Sequence, residues 1–150
     1  MIKILFFVLF IISTVRLLQA QEHPSTSQQA VRQAIIKIFE SLSDRDSVSL
    51  KNNCTADVLF FEYGQIWNLD TLIRKAIIQN TTTDFKRINS FNFIDTTVEG
   101  NTAWASYYLK SEFMRDGKQS FIQWLETVVL VKDKKRWRVK VLHSSLVKRG

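Results

Sequence analysis

A glutamate and a histidine near the end of the chain could form an acid–base pair in a pocket. Two β-rich runs flank the charged turn KDKK. Side chains alternate between the two faces of a strand, so a simple hairpin with Asp133 opposite Arg136 places Glu126 opposite His143. The rest of that face is apolar up to this pair. Because a carboxylate beside an imidazole can hold and move a proton, this end of the face is a candidate site.

A second hairpin adds a tyrosine to the same site. Asp116-Gly117 is a strong two-residue turn signal, because a type I′ turn needs positive φ at both central positions. Counting back from this turn places Tyr107 opposite Glu126, so Tyr107, Glu126 and His143 form one row across three strands. A β-bulge would shift the register by one residue and turn these side chains to the other face. The next row is predicted to hold Leu109, Trp124 and Ser145.

The N-terminus predicts export. After a short positive start, residues 4–12 are unbroken apolar sequence, and Ala20 ends a segment typical of signal-peptide cleavage. The alternative is a membrane anchor, but a bilayer span needs about 20 apolar residues. We therefore expect cleavage after Ala20, a periplasmic or secreted protein, and no stable membrane anchor afterwards. The predicted parts are a signal peptide (1–20), a linker (21–27) and a single domain (28–148).

Charge and cysteine content narrow the classes of function. The formal net charge of +7 would fall to +5 after cleavage, since 19 basic and 14 acidic residues remain. The basic cluster in 132–140 is interpreted as a solvated hairpin tip, with anionic lipid or polysaccharide as the alternative contact, and we expect no nucleic-acid partner. Cys54 is the only cysteine, so it is expected to be a small buried hydrophobe, with an intermolecular bridge as the alternative.

Apolar periodicity predicts helices first and strands afterwards. An amphipathic helix begins at a capping signal on Ser25 or Thr26. Its apolar stripe consists of Val31, Ala34, Ile35, Ile38, Phe39 and Leu42. There follow a short helix within 44–53 capped by Asp46, a β-rich run at 58–63, and a helix over 69–77 capped by Asn68 or Asp70.

Four long strands complete the prediction, at 85–98, 101–114, 118–132 and 136–147. Helices followed by a β-meander indicate an α+β fold, in which a curved antiparallel sheet packs against the N-terminal helices.

This order of elements resembles the nuclear transport factor 2-like superfamily, the cone-shaped fold shared by ketosteroid isomerase and SnoaL-type cyclases. The matching segments are Ala56–Val58, Gly100–Trp104, Trp124–Thr127, Trp137 and Leu142–Ser145. The closest resemblance is to small exported members of unassigned function. It implies a pocket between the sheet and the helices, but the superfamily includes isomerases, dehydratases, hydrolases and binding domains.

The resemblance adds two residues to the predicted pocket. Asp57 and Tyr63 lie where related enzymes carry polar pocket groups, although Asp57 could simply cap the start of a strand. The predicted ligand pocket therefore comprises Trp124, Leu109, Ser145, Tyr63 and Asp57.

Two functional hypotheses follow. The first is an exported, non-catalytic module that binds a small apolar ligand or assembles, with a homodimer through the sheet face that carries Trp104 and Tyr108. The alternative is a cofactor-free isomerase or dehydratase, in which Glu126 and His143 transfer the proton and Tyr107 is the electrophile. Glu126 and His143 could also be a structural polar pair that closes one end of the core. The sequence shows no zinc-ligand spacing and no Gly-rich phosphate loop, so neither a metal nor another cofactor is expected.

Overall fold

The computed structural model describes residues 24–150, and the predicted signal peptide lies outside them. The helices are α1 (Thr26–Ser43), α2 (Ser47–Asn53) and α3 (Leu69–Ile73), and α3 continues into a π-helical turn (Arg74–Ile78). The strands are β1 (Cys54–Glu62), β2 (Gln65–Trp67), β3 (Lys86–Glu99), β4 (Thr102–Arg115), β5 (Lys118–Asp133) and β6 (Arg136–Arg149). Within residues 24–150, none of the helices has the length and apolar character needed to cross a membrane.

Polar side chains begin each helix where the sequence predicts them. The Ser25 side chain accepts a hydrogen bond from the Gln28 amide, and the Gln28 side chain accepts one from the Ser25 amide, which completes a capping box. Asp46 caps α2 and Asn68 caps α3. Ser25 and Asn68 are therefore the caps, rather than their alternatives Thr26 and Asp70.

The six strands form one curved, open sheet in the order β2-β1-β6-β5-β4-β3. The four long strands make the predicted antiparallel meander, but β1 pairs with β6 in parallel, so the sheet is mixed. Strand β2 was not predicted, because it is only three residues long. The α+β prediction is confirmed, with this one parallel pairing as a correction.

The core lies between α1 and the inner face of the sheet. The whole predicted apolar stripe of α1 is buried there. Tyr107, Phe60 and Leu130 are among the large side chains that are fully buried opposite it. Cys54 is also buried, as expected for a small hydrophobe, and burial raises the pKa of its thiol to about 12.

The β4–β5 register agrees with the prediction along its whole length, from Arg115↔Lys118 to Thr102↔Val131. The turn has positive φ at Asp116 (51°) and Gly117 (70°), as its sequence requires. Both amides of the turn donate to the Asp84 carboxylate, at 2.8 and 2.7 Å. Tyr107 therefore faces Glu126 as predicted.

The β5–β6 register agrees with the prediction only near the tip. Leu130 pairs with Val139, but Val129 pairs with Val141, so Lys140 is an extra residue in β6 and forms a bulge. At this bulge the Lys140 ammonium contacts the Asp57 carboxylate of β1. Residues 141–146 consequently lie on the opposite face from the one predicted.

The bulge overturns the predicted row. Glu126 pairs with Ser144, and His143 pairs with Thr127 on the outer face of the sheet, the face turned away from α1. The same shift pairs Trp124 with Leu146, so Ser145 is also absent from its predicted row among the described strands.

Candidate functional site

The concave side of the sheet encloses a cavity of about 420 Å³ beneath α1 and α3. Aromatic rings form much of its lining, namely Phe39, Trp67, Phe85, Phe113 and Trp124. The charged and polar lining groups include Arg87, Glu62, Glu126 and Asn80. A cavity with an aromatic lining and a few convergent polar groups is the usual form of a small-molecule site.

Arg87 on β3 is the cation inside the cavity. Its Nε donates to Asn89 Oδ1 at 2.9 Å, and its Nη2 donates to Ser111 Oγ at 3.0 Å. Burial lowers the pKa of Arg87 to about 10, while the charges of Glu126 and Glu62 raise it. The guanidinium therefore stays protonated at neutral pH.

Three aromatic rings surround this guanidinium. Its carbon lies 5.4 Å from the ring centroid of Phe39, 5.3 Å from that of Phe113 and 6.0 Å from that of Trp124. Rings at such distances attract the cation through their quadrupoles. The described residues provide no carboxylate in salt-bridge contact with Arg87. The guanidinium is thus held in place by neutral groups.

Glu126 on β5 is the buried acid of the cavity. Only 2% of its surface is exposed, and its Oε1 accepts a hydrogen bond from Ser144 Oγ at 3.0 Å. Burial raises the pKa of Glu126 from 4.5 to about 7, and the charge of Glu62 raises it as well. Glu126 can therefore gain or lose a proton near neutral pH.

Tyr107 lies beside the other oxygen of this carboxyl. Burial, followed by the charge of Glu126 and hydrogen bonding to it, raises the pKa of Tyr107. Tyr107 Oη and Glu126 Oε2 are both buried, yet neither has a partner of normal hydrogen-bond geometry among residues 24–150. The phenol is therefore placed to donate to Glu126, but it does not itself line the cavity.

Glu62, at the end of β1, is a second acid in the cavity lining. Its Oε1 lies 2.8 Å from the same Ser144 Oγ, within hydrogen-bond distance. Burial raises the pKa of Glu62, and the hydrogen bond from Ser144 partly offsets this. Two carboxyl groups from strands on either side of β6 thus meet at one hydroxyl.

The structure separates His143 from this site. The bulge turns its side chain to the exposed outer face, where the ring centroid lies 6.1 Å from that of Phe61. The predicted Glu126–His143 facing pair is therefore wrong, and Ser144 occupies the place assigned to the imidazole.

The structure places only some of the predicted pocket residues in the cavity lining. Trp124 and Tyr63 line the cavity, whereas Leu109 is fully buried in the core beside Trp124. Ser145 lines a second depression of about 340 Å³, together with His143 and Ser144. Asp57 is exposed, and the hydrogen bond from Lys140 lowers the pKa of its carboxyl.

Sequence reasoning missed Arg87, Glu62 and Ser144. A signal for Arg87 was present, because it alternates in phase with Phe91 and Phe93 on β3 and such a phase indicates the inner face. No comparable signal marks Ser144, whose position depends on the bulge. In the part of the chain that the structure describes, His, Cys, Asp and Glu side chains form no group of three that could hold a metal.

Comparison with proteins of known structure shows the same fold elsewhere. A nuclear transport factor 2 (NTF2-like) superfamily protein from Salmonella enterica is 18% identical with a TM-score of 0.70, over 83% of this chain and 94% of that one. The CaMKII hub of S. rosetta is 21% identical with a TM-score of 0.66, over 83% and 100%. A ketosteroid isomerase-like protein from Erwinia carotovora is 12% identical with a TM-score of 0.66, over 83% and 99%.

No curated protein matches this chain. The family model described as a SnoaL-like domain matches residues 31–148, which is well over half of the sequence. Together with the fold, this match shows that the chain belongs to the SnoaL-like family.

Proposed function

We propose that this protein is a non-catalytic binding module that holds a small carboxylate-bearing ligand in the cavity. The observation that carries the proposal is the guanidinium of Arg87. A cation inside a cavity normally has a carboxylate partner, because an unpaired buried charge is costly. Arg87 lacks one among the described residues, and its hydrogen bonds run only from Nε and Nη2. Nη1 therefore remains available to a ligand.

The chemistry of this group selects the ligand class. Guanidinium presents its N–H groups as a planar fork that matches the two oxygens of a carboxylate. The rings of Phe39, Phe113 and Trp124 offer flat apolar contacts next to that fork. Asn80 supports a polar ligand as well, since its buried side-chain amide has no hydrogen-bond partner within residues 24–150. A small acid with an apolar or aromatic body fits this set better than the wholly apolar ligand expected from sequence.

Native mass spectrometry of protein purified from its own cells tests the proposal. We expect an additional mass that is lost on denaturation and that belongs to a carboxylic acid. Arg87→Gln should abolish the additional mass, while the control Arg136→Gln, at the exposed tip of the β5–β6 hairpin, should retain it. Arg87→Lys keeps the charge but removes the fork, so it should bind more weakly. Retention of the ligand by a folded Arg87→Gln protein would refute the proposal.

The same spectrum tests export. Cleavage after Ala20, proposed from the N-terminal sequence, predicts a mature protein whose mass begins at Gln21 in a periplasmic or secreted fraction. An intact mass beginning at Met1 would overturn this.

Assembly as a homodimer through the outer face of the sheet is the second part of the proposal. Tyr108 and Leu125 face each other there, each 36% exposed, and Ile94 is 56% exposed nearby on β3. Leu125→Glu should dissociate the dimer in analytical ultracentrifugation. The control Ile66→Glu also replaces an exposed apolar side chain with glutamate, but on β2, and should leave the mass of the dimer unaltered. A monomeric wild-type protein would refute this part.

A cofactor-free acid–base enzyme remains the alternative function, and one observation favours it. Glu126 lines the cavity with its pKa raised to about 7 by burial, which suits a group that transfers protons at neutral pH. The alternative now rests on Glu126, because His143 faces outward and Tyr107 does not line the cavity. It predicts that Glu126→Gln binds the ligand but does not convert it, whereas the binding module has no turnover to lose.

A further inference from the structure

One hydroxyl group lies between two carboxyl groups in the cavity lining. Ser144 Oγ is 2.8 Å from Glu62 Oε1 and 3.0 Å from Glu126 Oε1. A serine hydroxyl has a single hydrogen and two lone pairs, so it donates to one partner and accepts from the other. If both carboxyls were ionised, one of these two contacts would set an acceptor against an acceptor. Both contacts are satisfied only when at least one carboxyl carries a proton.

We infer that Glu62, Ser144 and Glu126 form a relay that holds one shared proton in the cavity lining. In one arrangement, Glu126 Oε1–H donates to Ser144 Oγ, and the Ser144 hydroxyl donates to the ionised Glu62. In the other, Glu62 carries the proton and the two hydrogen bonds reverse. One arrangement becomes the other when the acid proton moves to Ser144 as the hydroxyl proton leaves it. No net charge is created.

The surrounding groups favour a single proton over none or two. Burial disfavours two adjacent negative charges, as for other carboxyl pairs that share a site. Arg87 favours one negative charge, because its own charge lowers the pKa of both carboxyls, although by less than burial raises it. The other titratable groups that face the relay or line its cavity are Tyr107, Tyr63, Lys75 and Arg115, and His143 acts on Glu62 from the outer face through its charge.

This inference goes beyond the proposed function and does not depend on the ligand. With one proton shared, the relay carries one negative charge, which balances the charge of Arg87. A second carboxylate bound at Arg87 would repel the relay's remaining charge and raise its affinity for another proton. Binding of an acid should therefore take up a proton.

Carbon-13 NMR of glutamate carboxyls in the ligand-free, full-domain protein tests the relay directly. In the wild type, Glu62 and Glu126 should titrate in two separated, coupled steps. Glu62→Gln removes the repelling charge, so the Glu126 midpoint should fall below about 7, while burial still holds it above 4.5. Ser144→Ala removes a hydrogen bond that stabilises the ionised forms, so the midpoint should rise. These opposite directions distinguish a relay from simple burial.

Two control variants complete the experiment. Ser144→Thr keeps the hydroxyl and should restore the wild-type titration, which loss of packing alone would not produce. Glu99→Gln, at an exposed position, should leave the Glu126 midpoint unchanged. An unchanged midpoint in a folded Glu62→Gln protein would overturn the inference, as would independent ionisation of both carboxyls at their ordinary pKa. A failure to bind any acid would refute the proposed function and leave the relay intact.

Discussion

Replacing Glu126 with glutamine is expected to stabilise the fold above pH 7 and to change it little near pH 4. The pKa of Glu126 rises from 4.5 to about 7 because the carboxyl is buried. The native state therefore holds this proton more tightly than the unfolded state does. Its contribution to stability is fully present below pH 4.5 and is lost as the pH rises through 7.

The size of the effect follows from the same shift. One pKa unit corresponds to about 1.4 kcal/mol, so an ionised Glu126 costs the native state on the order of 3 kcal/mol at pH 8. Glutamine has nearly the shape of a protonated glutamate, and its side-chain amide can donate to Ser144 Oγ or accept from it. Glutamine avoids the buried charge without opening a cavity. The variant should therefore be more stable than the wild type by most of this amount at pH 8.

Urea unfolding at several values between pH 4 and pH 8 measures this difference. The free energy of unfolding of Glu126→Gln minus that of the wild type should be near zero at pH 4 and reach about 3 kcal/mol at pH 8. Subtraction removes the titration of all groups that the variant does not affect, and Glu99→Gln should show no such curve. A difference that stays constant with pH would refute the assignment of Glu126 as a buried acid.

Two further predictions concern the core. Leu130→Ala should lower the free energy of unfolding by about 2–5 kcal/mol, because it opens a cavity at a fully buried site. Leu125→Ala, on the exposed face, should lower it by less than about 1 kcal/mol. Urea denaturation of both variants checks this, and equal losses would contradict the assigned faces. The Cys54 thiol should resist a thiol reagent in the native protein and react once denaturant is added, since burial raises its pKa to about 12. A colorimetric thiol assay at pH 8 checks this. Rapid labelling of the native protein would contradict the burial of Cys54.

Sequence reasoning succeeded where a local signal determined the geometry. Asp116-Gly117 allows few turn conformations, and the β4–β5 register follows from that turn for every pair up to Thr102↔Val131. The facing of Tyr107 and Glu126 could therefore be predicted. The stripe of α1 could be predicted for the same kind of reason, because its spacing repeats over three turns.

The same reasoning failed where two registers were equally apolar. Val141 and Leu142 are adjacent, so either can face the core, and alternation alone cannot choose between them. The bulge at Lys140 decides the matter, and the partner of Lys140 is Asp57 on β1, far away in the chain. Arg87 was missed for a different reason, since a charged residue in a strand is usually read as solvent-facing.

The bulge at Lys140 also makes the chemistry of the cavity sensitive to the length of β6. Deleting Lys140 would only absorb the bulge and keep Ser144 opposite Glu126, but inserting one residue between Lys140 and His143, with the bulge retained, would bring His143 opposite Glu126 and turn Ser144 outward. An imidazole would replace a hydroxyl without any substitution at the site itself. Among proteins of this fold, insertions and deletions in this strand are therefore a route to new chemistry that comparison of aligned residues would miss.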